Sequence, residues 1–199
     1  MSDYISQQVE AGFATPSEIV DAAVDVFAED LPSEPLRPIA EELVKTAIEE
    51  HMAEQATWPA VTDCDRLDNA FAELEQNGIM CRQNYDLDVS GGQAALKEEM
   101  ITAAKEGRPI RGGCFFHAQD TDALVEDGSL FLAFSPGPAA KEIVEAAMKH
   151  RLDASANEQA AITVAGEIVA TLRRHGVDAR WGGSTIERIE IPIDWKRRR

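Results

Sequence analysis

Residues 111–136, RGGCFFHAQDTDALVEDGSLFLAFSP, carry the densest apolar runs of the chain and its only histidine flanked by aromatic residues and close to carboxylates, His117. Two runs of β-forming residues, 114–118 and 129–135, enclose a polar segment that holds an acid cluster and ends on Gly128. Asp120 reads as the N-cap of a short helix over 121–126, with Gly128 as its left-handed stop. The stretch therefore predicts strand, short helix, strand, and the rest of the chain is read outward from that pair.

Upstream, Gly78 closes an amphipathic helix whose apolar face is Leu67, Ala70, Phe71 and Leu74. A strand is expected over 79–87, then a turn at Ser90, Gly91 and Gly92, then a helix carrying Leu96, Met100, Ala103 and Ala104 and closed by Gly107. Downstream of Pro136-Gly137-Pro138, an acidic, alanine-rich helix is expected to about Leu152, and 188–195 reads as a final strand. The last third echoes the first core segment. A shift of 98 positions lays Ala70, Phe71, Leu74, Gly78, Ile79 and Arg82 over Ile168, Val169, Leu172, Gly176, Val177 and Arg180.

The first 57 residues read as about three helices. Thr15, Pro16 and Glu18 supply the cap, the first-turn proline and the third-position acid of one of them, and Ile19, Ala22, Ala23, Val26 and Phe27 form its buried stripe. Pro32, Pro35 and Pro38 punctuate the chain beyond that helix. Trp58-Pro59 ends the section, because a residue before proline leaves the helical region. The expected class is α+β: helices on a largely antiparallel sheet of about five strands over 58–199, with a helical section over 1–57.

Size and composition set limits on function. A chain of 199 residues, 44% of them apolar, buries roughly 70% of its unfolded surface and needs no covalent staple. Cys64, Cys81 and Cys114 are odd in number and form no CxxC pair, which points to reduced thiols in a cytoplasm rather than a disulfide framework or zinc ribbon. The first residues lack the basic flank and apolar segment of a signal peptide, and no run is long enough to span a bilayer. A formal charge of −17 repels nucleic acid and anionic lipid, so direct binding to either is disfavoured. The Lys196-Arg197-Arg198-Arg199 run stands against that background, and we read it as a frayed basic tail.

The runs WPAVTDCDRLDNAFAELEQNGIMCRQN, RGGCFFHAQDTDALVEDGSLFLAF, GEIVATLRRHGV and IDWKRRR, with QVEAGF and TPSEIV nearer the start, resemble an uncharacterised bacterial family known only as a domain of unknown function. The resemblance covers most of the chain. It implies membership and no activity. Members often carry a cysteine-rich segment after the strand matching 79–87; residues 86–92 here contain no cysteine, and 139–156 is longer than the usual connection.

His117, Gln119 and Asp120 leave one strand end together, beside Asp63, Asp65 and Asp68 if the helix carrying those acids packs near it. One imidazole with two or three carboxylates suits a divalent metal or a general base. No second histidine lies at ligand spacing, so helix capping is the favoured reading of these acids, and no cofactor is called for. Arg82, with Arg180 on the echoing strand, could receive an anion or pair with surface acids. Phosphate-cradling loops and nucleophile elbows are missing. Three functions remain, in order of preference. The first is a non-catalytic binding or regulatory protein for a protein or small-molecule ligand. The second is a small metal-assisted hydrolase centred on His117 and nearby carboxylates, and the third is an acidic nucleic-acid mimic.

Overall fold

The computed structural model describes residues 1–28, 36–138 and 155–199, which divide into two compact units, Met1–Cys64 with Asp194–Arg199, and Asp65–Ile193. The expected helix over 139–152 falls outside the described residues.

The first unit is built on α1 (Ser2–Ala11), α2 (Pro16–Phe27) and α3 (Leu36–Gln55). Its core is Ile5 and Val9 from α1, Ile19, Val20 and Ala23 from α2, and Ala40 and Val44 from α3. The spacings of three and four residues place each set on one helix face. Thr15 and Glu18 form a complete capping box at the start of α2, and the hydrogen bonds from Thr15 hold the Glu18 carboxyl below its ordinary value.

Residues 194–199 belong to this unit and are bound along their length. Arg199 donates through Nε to the Val9 carbonyl at 2.8 Å and through Nη2 to the Gln8 carbonyl at 3.1 Å, and the Trp195 indole donates to the Ala11 carbonyl at 3.3 Å. These carbonyls lie in the last turn of α1, where few helical N–H groups remain to pair them; that of Gln8 also accepts the Gly12 N–H at 3.4 Å. Arg197 stacks over Phe13 at 4.5 Å, and Arg198 donates to the Pro59 carbonyl. The frayed tail read from the sequence is thus corrected: Arg199 meets the carbonyls and the negative dipole end of α1, and Arg197 and Arg198 are held by Phe13 and the Pro59 carbonyl.

The second unit carries a four-stranded mixed sheet in the order β1 (Ile79–Arg82), β2 (Gly112–Phe115), β3 (Ser129–Pro136), β4 (Ile189–Pro192). The α+β class holds, with four strands in place of five. β1 and β2 run parallel, while β2–β3 and β3–β4 are antiparallel. A parallel neighbour needs a crossover, and α5 (Val89–Lys105) supplies it. Added side chains at successive residues of β2 would strike opposite partners. One at Gly112 would meet Val164 of α7 (Ser155–Arg174) at 2.7 Å, and one at Gly113 would meet Leu96 of α5 at 3.0 Å. Helices therefore cover both faces, which is why all four residues of β2 are buried. Met80, Leu96, Met100, Ala103, Phe115 and Ala133 pack on the α5 side.

Several local readings change. The strand expected over 79–87 stops at Arg82, because Asn84 and Asp86 take left-handed backbone. Residues 90–92 open α5 behind the cap Asp88 instead of forming a turn. The final strand is four residues long. Of the echo, the helix and its left-handed glycine recur: α4 (Asp63–Gln76) is followed by Gly78 with φ +79°, and α7 by Gly176 with φ +80°. The strand recurs only as a single bridge, Arg180 to Glu190.

Candidate functional site

β2 delivers Phe115 and Phe116 into the core and leaves His117 in extended backbone at the start of α6 (Ala118–Asp127). His117, not Asp120, is the N-cap. Its Nδ1 accepts the Asp120 N–H at 3.2 Å, and Asp120 Oδ2 accepts the His117 N–H at 3.3 Å, a reciprocal box with an imidazole where serine is usual. With Nδ1 accepting, Nε2 is the nitrogen left to donate, and it lies 3.1 Å from Asp120 Oδ2 and 3.3 Å from Arg188 Nη1. Arg188 completes the group, with Nη1 2.8 and 2.9 Å from the two Asp120 oxygens. Both His117 and Asp120 are 5% exposed, and each of their polar atoms is spoken for within the group.

The carboxyl ends of parallel strands are where open α/β sheets usually hold ligands. Here the chain's own groups fill that position. The Tyr85 N–H donates to the Phe116 carbonyl, the Ala118 N–H to the Asp86 carbonyl, and the Thr121 hydroxyl to Asn84 Oδ1.

The other sequence candidates lie apart from this group. Gln119 is exposed beside it. Arg82 is clamped between Glu75 and Glu99 at 2.9 and 2.7 Å, and Tyr85 donates to Glu99 at 2.6 Å. Burial opposes the Arg82 charge, but the Glu99 contacts outweigh it and hold the guanidinium above its ordinary value. Burial, then the bond to Glu99, pushes the Tyr85 phenol up to about 12. Asp63, in the first unit, accepts the Asp194 N–H; Asp65 is half-buried in the first turn of α4, and Asp68 accepts from Gln83. Among the described residues no three histidines, cysteines or acids gather as a metal set. Cys81 and Cys114 face each other across β1 and β2 with sulfurs 3.6 Å apart. Burial, and then the neighbouring thiol, pushes Cys81 well above the usual thiol value, which disfavours the nucleophilic thiolate.

Sequence reading missed Arg188 as a site residue. It lies 68 positions from Asp120, and the one available signal was that a buried aspartate needs a cation. Its guanidinium also covers the Phe131 ring at 5.1 Å and forms part of an open groove of about 630 Å³. Phe131 and Arg180 are both register partners of Glu190, and Arg188 stands two residues before Glu190, so these side chains share one sheet face. Trp181 closes the groove, its indole N–H fixed on the Ser184 carbonyl and its ring edge-on to Phe134 at 5.6 Å.

Fold and site together define an α+β protein whose catalytic-looking pair is locked into a helix cap and joined to a partly exposed arginine in an aromatic groove. The chain belongs to the family described as Domain of unknown function (DUF6891), which matches residues 1–199. No curated protein and no solved structure matches it. No helix among the described residues is long and apolar enough to cross a membrane.

Proposed function

We propose that this is a non-catalytic binding protein of the bacterial cytoplasm whose ligand sits in the groove over Arg188. The observation that carries the reading is the division of labour within that one side chain: Nη1 is held by Asp120, the remaining guanidinium N–H groups have no partner among the described residues, and Arg188 lines the groove. An arginine fixed from behind is pre-organised for a ligand in front. Phe131 and Trp181 supply aromatic faces against which the apolar part of a small molecule can rest. Turnover gains no comparable support, because His117 and Asp120 spend their polar atoms on each other and on Arg188. The buried, unbridged Cys81 and Cys114 suit a reducing compartment.

The test is a ligand-observed NMR screen of small polar metabolites against the wild type, R188A and W181A, with circular dichroism to verify folding. Binders lost in both variants are expected. Metal-dependent hydrolysis of ester or phosphoester substrates that disappears in H117N, a variant able to keep the helix cap, would replace this reading with the hydrolase.

A further inference from the structure

We infer that the groove takes a small zwitterion of the α-amino-acid class with an aromatic or branched apolar side chain. The inference rests on the reading of the groove as a ligand site. Its basis is that the groove holds open charges of both signs. Arg180 is neutralised by Asp178 at 2.6 Å, and one nitrogen of Arg188 by Asp120. The rest of the Arg188 guanidinium and the carboxylates of Glu187 and Glu190 have no hydrogen-bond or ion-pair partner among the described residues.

These charges sort ligand classes. A phosphate ester would gain Arg188 but face two carboxylates, and a simple amine would gain the carboxylates but face Arg188. A molecule carrying one carboxylate and one ammonium satisfies both sets. Arg188 and Glu190 are two residues apart on one strand face, roughly 7 Å between Cα atoms, a span their side chains can close around such a molecule. The Glu187 carboxylate lies over Gly182, where an added Cβ would stand 2.4 Å from Oε2, so it takes up the space that a side chain there would fill. The apolar body of the ligand would rest on Phe131 and the fixed Trp181 ring and reach Ile186, which is 92% exposed.

The test uses the full chain labelled with 5-fluorotryptophan, with the Trp181 resonance assigned through W181F. Three probes are titrated: L-phenylalanine, 3-phenylpropanoate, which lacks the ammonium, and phenethylamine, which lacks the carboxylate. Phenylalanine is expected to shift the Trp181 signal saturably and to bind at least about tenfold more tightly than either partial probe, one charge contact being worth on the order of that factor. R188A should abolish the shift. E187Q combined with E190Q should weaken phenylalanine and strengthen phenylpropanoate. Phenylpropanoate binding as tightly as phenylalanine, or no saturable shift at Trp181 with phenylalanine, overturns the inference. The binding reading itself survives that outcome as long as the metabolite screen yields an Arg188-dependent ligand.

Discussion

His117 shows how a residue type that suggests chemistry can be consumed by the backbone. Its Nδ1 does for α6 what a serine hydroxyl commonly does, and its partner Asp120 returns the bond. Replacing the imidazole by methyl should therefore cost stability: H117A is expected to lose about 1–2 kcal/mol in urea unfolding, and H117N, which supplies a capping oxygen, much less. Equal losses in the two variants would refute the capping role. R188A should cost about 2–3 kcal/mol, because a carboxylate that is 5% exposed would lose its cation. Tyr85 makes a pH prediction. Its folded value of about 12 lies above the ordinary phenol value near 10, so the stability carried by the protonated phenol is complete below pH 10 and is lost as pH rises from there through about 12. Stability measured across that window should fall in the wild type, and the fall should be smaller in Y85F.

At the scale of elements, Gly78 and Gly176 offer a matched pair. Both follow a helix in left-handed backbone, but a side chain at Gly78 would stand 2.3 Å from the Pro109 carbonyl, while one at Gly176 would first meet the flexible Arg66 at 3.4 Å. G176A should cost about 1 kcal/mol, the conformational penalty alone, and G78A at least twice that, as read by denaturant midpoints. The same comparison marks what sequence can reveal. The helix, its glycine stop and the Thr15 to Glu18 box were legible because each is settled within four residues. The parallel pairing of β1 with β2 was not, since Ile79 meets Gly112 across an intervening helix and an apolar run reads alike in either direction. Sequence pattern puts the cap of α6 on Asp120, three residues late, because aspartate is the commoner capping residue and the imidazole lone pair gives no compositional signal. Edge protection was invisible for a similar reason. On the outer side of β1, the Cys81 N–H is taken by Glu75 and its carbonyl by Arg82, closing a strand edge that would otherwise invite another chain.

Over the whole molecule, a charge of −17 imposes self-repulsion that the local ion pairs do not cancel. Raising salt from about 10 mM to about 0.5 M shortens the Debye length from roughly 30 Å to under 5 Å, so the melting temperature should rise. A fall instead would mean that screened surface pairs such as Arg37 with Asp21 outweigh the repulsion. The helical unit is discontinuous in sequence, taking Met1–Cys64 and then Asp194–Arg199. On the ribosome its three helices emerge before any of the sheet, yet the carbonyls of Gln8 and Val9 cannot meet Arg199, 191 and 190 positions further on, until the whole second unit, Asp65–Ile193, has been made. The helical unit therefore waits on a segment made after the sheet, and a fragment ending at Cys64 should mature only when the peptide 194–199 is supplied in trans.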